Sequence, residues 1–298
     1  MTNSTWDDFW LNEGFTVYFE QRIMEAVYGR DISEMLASLS YRGLVNELSD
    51  LSPNDTHLRL HLQGRNPDDG MTAIAYDKGC LFLRMIEETV GRNLFDAFLS
   101  EYFTKHAFKV MDTDNFIEYL ESTLLIDKSI RNAVNLTAWI DGAGLPDNCP
   151  KIHSERIDNV DKAVQEWASG RLATKDLLWE DWLYQERYRF LKSIPSTVDV
   201  EKLAELNSKF KISSTGNNEV LFAWLEQSVL KGHKASYNRL ENFLINIGRR
   251  KFLTPLYKAL LDTDQKNMAL SIYKKARPNY HSVATGTMDE LLNYNNGE

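Results

Sequence analysis

The carboxylate of Glu13 lies among bulky aromatic residues in the run Trp6–Gly14, which reads WDDFWLNEG. Glu13 and Glu20 recur with apolar residues at helical spacing, so both glutamates are predicted to share a helix face with apolar side chains. A carboxylate in such surroundings needs a cation, a metal ion or a hydrogen-bond donor, because otherwise it takes up a proton. The run therefore predicts a helix whose first turn holds an acid in need of a partner.

Histidines in the spacing H-E-x-x-H, where two imidazoles one helical turn apart hold zinc, do not occur in this sequence. Of the six histidines, His57 and His61 come closest, but Arg59 lies between them and no glutamate follows the first. Polar and apolar residues alternate over residues 57–62, which predicts a half-buried strand whose histidines face water. Because strand geometry does not match helical ligand spacing, we interpret this pair as surface residues.

The run Trp6–Gly14 resembles the block that carries the third zinc ligand in zinc aminopeptidases of the leukotriene A4 hydrolase type, which belong to peptidase family M1, the gluzincins. The resemblance implies that Glu13 is a zinc ligand and that Glu20 is an acid in the layer behind it. In that family an H-E-x-x-H helix supplies the other ligands and the general base. We therefore expect Zn²⁺ in an intact enzyme of this kind and none bound by this chain alone.

Tyr76 lies in the run Ala75–Gly79 (AYDKG), which resembles the family's Tyr-x-Lys-Gly signature. The resemblance implies that Tyr76 is catalytic and donates a hydrogen bond to the oxyanion formed when water attacks a peptide carbonyl. Without the resemblance, it would be read as an ordinary interfacial tyrosine. Asp68 lies in the preceding loop, about where leukotriene A4 hydrolase has an acid that assists its epoxide chemistry, and an Asx turn explains this residue equally well.

The run Gly248–Tyr257 (GRRKFLTPLY) is the strongest signal in the second half of the chain. It resembles the Gly-Arg-x-Lys-Phe stretch with which the same group of enzymes binds the free carboxylate of a tripeptide. The resemblance implies that Arg249 offers a bidentate fork and Lys251 a point charge to that carboxylate. The alternative is a solvated basic cluster between two helices.

Composition sets broad limits on what the chain does. Its 298 residues are 43% hydrophobic and 26% charged, as in soluble globular proteins. The net charge of −9 argues against nucleic acid as a partner, and no apolar run approaches the length of a membrane span. The first residues show neither part of an export signal, so a cytoplasmic location is favoured, although an N-terminal part of such an enzyme could carry one.

The helical pattern divides the chain into two parts. Residues 1–145 are predicted to be the C-terminal part of a thermolysin-like catalytic domain. Residues 146–154 are predicted to be a linker, because glycine and proline residues occur just before and within this segment. Residues 155–298 show amphipathic helices separated by short polar turns, which indicates an α-solenoid of the armadillo or HEAT type. The fold is therefore predicted to be mostly α.

The resemblance implies a fragment of a zinc aminopeptidase that removes N-terminal residues from short peptides, with a possible epoxide hydrolase side activity and no activity of its own. A non-catalytic helical interaction module and one half of a split peptidase are the alternatives. The expected partners are peptide substrates and the N-terminal portion of the enzyme. Without that portion, the apolar face around Trp6, Phe9, Trp10 and Phe15 is predicted to be exposed and to cause self-association.

Overall fold

Helices make up nearly all the regular structure of residues 1–294, which are the residues that the computed structural model describes. The chain divides into two units, Met1–Glu155 and Arg156–Glu298. The helices of the first unit are α1 (Trp10–Tyr28), α2 (Arg30–Asp50), α3 (Gly79–Val90), α4 (Arg92–Lys105), α5 (Thr113–Thr123), α6 (Lys128–Val134) and α7 (Leu136–Ile140). Within residues 1–294, no helix is both long and apolar enough to cross a membrane.

A glycine separates α1 from α2, and another separates α3 from α4. Gly29 ends α1 and Gly91 ends α3, each with a φ of +88°, a value that side chains with a Cβ rarely adopt. The next helix starts directly afterwards, at Arg30 in one case and at Arg92 in the other. The predicted helix ends at these two glycines are confirmed.

The two strands of the first unit are short and are not where the alternating pattern predicted one. β1 (Thr2–Asn3) and β2 (Val110–Met111) pair in parallel. The predicted strand at residues 57–62 is wrong, although its alternate leucines are buried as predicted. Its backbone amides bond to the main chain and side chain of Asp7 and to the carbonyl of Ile140, so no strand lies beside it.

The aromatic residues at the start of α1 form the core of the first unit. Trp10 is fully buried and packs edge-on against Phe82 and Phe116. Phe9 and Phe15 are also buried, whereas Trp6 is 46% exposed. The predicted exposed apolar face is therefore wrong for three of its four residues, because α3, α4, α5 and the ring of Tyr76 cover them. These three residues are not available to drive the predicted self-association.

The second unit consists of helices that pack on alternate neighbours. They are α8 (Glu155–Ala168), α9 (Tyr184–Lys192), α10 (Val200–Phe210), α11 (Asn218–Leu230), α12 (Tyr237–Asn246), α13 (Arg250–Asp262), α14 (Lys266–Ala276) and α15 (Ser282–Leu292). Helix α11 contacts α9 and α13, α13 contacts α15, and α12 contacts α14. This is the stacking of helix pairs expected of an α-solenoid. The mostly helical fold is confirmed, while α15 was not predicted.

Candidate functional site

Glu13 lies in the first turn of α1 and is half-buried. It lines an open groove of about 540 Å³ together with apolar side chains such as Leu11, Phe19 and Phe103. Among residues 1–294, no hydrogen bond or ion pair holds its carboxylate. The acid that the sequence predicted to need a partner thus faces a groove in which a ligand can reach it.

Tyr76 lies close to Glu13. It belongs to the π-helical turn Ile74–Lys78, which leads into α3, and its ring meets the ring of Phe9 edge-on at 5.9 Å between centroids. Burial raises the pKa of Tyr76, and the charge of Glu13 raises it further. The phenol therefore stays protonated, and able to donate a hydrogen bond, throughout the neutral range.

A contact between two glycines brings these two side chains together. Gly14 follows Glu13, and Gly79 comes three residues after Tyr76. A Cβ built on Gly14 would lie 2.9 Å from the Cα of Gly79, a distance at which the backbones must move apart. Since α1 and α3 approach this closely only where neither has a side chain, the glycines of both motifs fix the spacing of Glu13 and Tyr76.

Other residues of the first motif hold the start of α1 in place. Asp8 is buried and accepts hydrogen bonds from the backbone amide and the hydroxyl of Thr113, at 2.9 and 2.8 Å. The indole of Trp10 donates to the same hydroxyl at 3.1 Å. These residues anchor the first turn of α1 to α5, a role that the sequence alone did not reveal because Thr113 lies about a hundred positions away.

Lys78 has a structural role in the second motif. Its side chain is fully buried, with 0% exposure, and its ammonium group donates to the carbonyls of Thr56 and Gly142 at 2.7 and 2.9 Å. Burial lowers the pKa of Lys78 to about 8. The lysine therefore ties two distant loops to the turn that carries Tyr76.

Glu20 and Asp77 carry charge on the side of this turn that faces α2. Glu20 is exposed and lines a small cavity with apolar neighbours such as Val17 and Met24. Burial raises the pKa of Asp77 to about 6, with smaller contributions from the charges of Glu47 and Glu20, while a hydrogen bond from Ser40 opposes the rise. Glu20 thus acts on Asp77, and through it on the turn that contains Tyr76.

The change Asp77→Asn is expected to stabilise the chain at pH 7 and not at pH 4. Because the folded pKa is above the unfolded one, the ionised carboxyl costs stability as pH rises from about 4 to 6. We expect a gain in unfolding free energy of about 1 kcal/mol at pH 7, less than the full shift would give because the side chain retains some contact with water. Urea denaturation at both pH values measures it, with the exposed Asp68→Asn as control. An equal gain at both pH values would contradict the assignment.

Asp68 lies apart from these residues in its interactions. It is exposed in the 3₁₀ turn Pro67–Gly70, and its backbone amide bonds to the side chain of Asn66 at 3.1 Å. That contact is an Asx turn made by Asn66. In the described part of the chain, no hydrogen bond or ion pair joins Asp68 to Glu13 or to Tyr76.

Arg249 and Lys251 lie at the start of α13 in the second unit, and both are exposed. The guanidinium of Arg249 is 5.8 Å from the ring centroid of Phe252, and the ammonium of Lys251 is 4.9 Å from the same centroid. Lys251 also forms an ion pair with Glu219 of α11. The two cations therefore flank one aromatic ring, and one of them already has a carboxylate partner.

The residues present do not make a complete metal site. No group of three or more histidine, cysteine, aspartate or glutamate side chains is placed to hold a metal ion in residues 1–294. A catalytic zinc needs about three protein ligands, and the described residues do not bring three such side chains together. The residues present therefore do not fit a whole zinc site.

Comparisons with known proteins identify the family. Residues 1–139 match the profile of the peptidase family M1 domain, and residues 182–292 match that of the C-terminal domain of leukotriene A4 hydrolase. The chain belongs to peptidase family M1, in its leukotriene A4 hydrolase-like group. The resemblance found in the motifs is thereby confirmed.

Relatives of this M1 chain include two fungal aminopeptidases and a solved yeast enzyme. Leucine aminopeptidase 2 of Ajellomyces capsulatus is 28% identical over 310 residues, which cover 100% of this chain and 49% of the relative. Leucine aminopeptidase 2 of Yarrowia lipolytica is 29% identical, with 98% and 48% covered. The structure of yeast LTA4 hydrolase in complex with bestatin superimposes with a TM-score of 0.89 at 26% identity, over 99% of this chain and 52% of that one.

The M1 chain spans about half the length of the curated relatives that it matches. Family M1 implies zinc in intact enzymes, and the relatives are aminopeptidases. The described residues hold no group that binds a metal by itself.

Proposed function

We propose that this chain forms the C-terminal half of a zinc aminopeptidase that removes N-terminal residues from short peptides. Glu13 contributes one zinc ligand, and Tyr76 is the catalytic hydrogen-bond donor. The observation that carries the proposal is the Gly14–Gly79 contact, which brings the unpaired carboxylate of Glu13, at the wall of an open groove, close to the protonated phenol of Tyr76. The names of the fungal relatives supply the reaction class.

Tyr76 suits the role of an oxyanion donor for physical reasons. Its raised pKa keeps the hydroxyl protonated, and the packing of its ring against Phe9 limits its motion. A preorganised donor of this kind stabilises negative charge that develops in a transition state without having to reorient. When bound, zinc would polarise the scissile carbonyl and activate water. The residues of this chain supply one ligand and one donor to that chemistry.

Arg249 and Lys251 are proposed to bind the free carboxylate of a short peptide. The planar guanidinium of Arg249 has no carboxylate partner within residues 1–294 and lies 5.8 Å from the ring centroid of Phe252, so its N–H groups are available to a ligand. Lys251 adds a second positive charge near the same ring. Asp68 is proposed to contribute to substrate binding, and Glu20 to lie in the layer behind the metal. Both side chains are exposed.

The alternatives are a non-catalytic helical module and one half of a split peptidase. The DNA upstream of the Met1 codon discriminates between them and the main proposal. An in-frame H-E-x-x-H there would support a longer enzyme. A start codon preceded by a ribosome-binding site would support a separate module or a split enzyme.

A metal and activity experiment tests the proposal directly. As purified, the chain is expected to hold less than one zinc and to leave leucyl and alanyl chromogenic amides intact, because it lacks the general base and two ligands. Joined to residues that carry H-E-x-x-H, it should bind one zinc and hydrolyse these amides.

In that longer protein, Glu13→Ala should abolish zinc binding, whereas Tyr76→Phe should keep the zinc and lower kcat. Metal analysis by mass spectrometry and steady-state kinetics measure both effects. If Glu13→Ala retained stoichiometric zinc and full turnover, the proposed ligand would be wrong.

A further inference from the structure

Three neighbouring helices of the second unit contribute a row of aromatic rings in contact. Tyr188 of α9 stacks on Phe222 of α11 at 6.4 Å between centroids, and Phe222 meets Phe252 of α13 at 5.2 Å. Phe222 and Phe252 are buried, while Tyr188 is half-buried. The row gives this face of the second unit a rigid apolar base.

Charged side chains lie above this row in two ion pairs. Lys192 pairs with Glu226 and its ammonium is 5.3 Å from the ring centroid of Phe222. Lys251 pairs with Glu219 in the same manner over Phe252. Both glutamates come from α11, seven residues apart and so on one face of the helix. Burial raises the pKa of Tyr188, and the charges of Glu226 and Glu219 raise it further, so both acids lie near its ring.

The two pairs differ in their exposure and in their surroundings. Glu226 is 13% exposed and Lys192 33%, whereas Glu219 is 31% exposed and Lys251 48%. Arg249 stands beside the second pair only, over the same ring as Lys251. The pair of Glu219 and Lys251 is therefore the open one, and it borders the guanidinium proposed to bind a carboxylate.

We propose that Glu219 is a specificity-determining residue that occupies the carboxylate site from within, competing with the C-terminal carboxylate of a peptide for Lys251. The inference rests on the proposed role of Arg249 and Lys251. Glu219 and the ligand offer the same functional group to the same ammonium, so binding of one displaces or repels the other. An exposed ion pair is weak. A ligand carboxylate that Arg249 also binds therefore displaces Glu219 from Lys251, whereas an anion that contacts only Lys251 does not.

This arrangement makes the site selective among carboxylate ligands. A carboxylate must engage the fork of Arg249 to offset the loss of the pair between Lys251 and Glu219. Small anions without further contacts are rejected, and a peptide whose carboxylate also engages Arg249 is retained. Glu219 thus lowers affinity in order to raise selectivity for ligands that make several contacts at once.

Titration of the full chain with trialanine and with trialanine amide tests the inference. Chemical-shift changes at constant pH and ionic strength measure the two dissociation constants for the wild type, Glu219→Gln, Glu226→Gln, Arg249→Ala and Lys251→Met. Glu226→Gln is the matched control, because it removes the same charge from the same helix face and leaves Lys251 paired. Melting temperatures check that each variant folds.

The wild type is expected to prefer trialanine over the amide. Glu219→Gln should tighten trialanine binding by about fivefold, the effect of releasing the Lys251 ammonium from an exposed ion pair, and leave the amide unchanged. Glu226→Gln should change trialanine binding by less than about twofold, since its charge is farther from the ligand and paired elsewhere. In the Lys251→Met background, Glu219→Gln should lose most of its effect, because the contested ammonium is gone.

Two results would overturn the inference in distinguishable ways. If Arg249→Ala abolishes the preference for trialanine but Glu219→Gln leaves the affinity unchanged or weakens it, the carboxylate site stands and Glu219 orients Lys251 instead of competing for it. If neither the wild type nor any variant prefers the acid over the amide, the proposed carboxylate site falls, and the competition falls with it.

Discussion

The change Gly14→Ala is expected to lower the unfolding free energy of the chain by about 1–3 kcal/mol, the usual cost of forcing extra volume into a packed interior. The new methyl carbon would lie 2.9 Å from the Cα and 3.0 Å from the carbonyl carbon of Gly79. Both are backbone atoms, so no side chain can rotate away. Helices α1 and α3 must separate, and the packing of Trp10 against Phe82 across the same interface is disturbed.

Gly43 provides the matched control for this experiment. It lies inside α2 with open space where its Cβ would be. Alanine favours the helical state over glycine by up to about 1 kcal/mol, so Gly43→Ala should be neutral or stabilising. Chemical denaturation of both variants gives the comparison. If Gly14→Ala were as stable as Gly43→Ala, the close approach of the two glycines would not set the spacing of Glu13 and Tyr76.

Local signals in the sequence were sufficient to predict most helices and the family. Glycines that adopt positive φ mark the ends of α1 and α3, and amphipathic spacing over residues 155–298 predicted helices such as α10 (Val200–Phe210). These features depend on residues within a turn or two of each other, so a single sequence contains the information. The motif around Glu13 carried the family resemblance for the same reason.

Features that depend on distant residues were not predicted. The segment 57–62 has the alternation of a strand, yet its donors bond to Asp7 and to Ile140, and no neighbouring strand exists to pair with it. A carboxylate oxygen of Asp8 accepts hydrogen bonds from Thr113, which no local pattern around Asp8 predicts. In both cases the deciding partner lies far along the chain, where periodicity gives no information.

The expected exposure of the first helix failed for a related reason. The family resemblance implies that the aromatic residues of that helix contact an N-terminal part of the enzyme. Trp10 and Phe15 instead pack on rings of α3, α4 and α5 within the same unit. A resemblance identifies which residues form a motif, while packing decides which of them serve the fold.

Lys78 belongs to a family motif and also supports the fold. Its replacement by methionine is expected to cost about 2–4 kcal/mol of unfolding free energy at pH 7. Methionine fills a similar volume but cannot donate to the carbonyls of Thr56 and Gly142, which lose their partner. Denaturation of Lys78→Met measures the loss, and Lys151→Met, at an exposed lysine, is the control. A loss no larger than that of the control would mean that water replaces the ammonium without cost.

The pH dependence of this loss provides a second, independent check. Burial lowers the folded pKa of Lys78 to about 8, below its unfolded value near 10.4. Between these values the unfolded chain binds more protons than the folded one, so the contribution of Lys78 to stability rises with pH across this window. The difference in unfolding free energy between wild type and Lys78→Met should therefore grow from pH 8 to pH 10. A difference that shrinks over this range would show that the two carbonyls stabilise the ammonium more than burial opposes it.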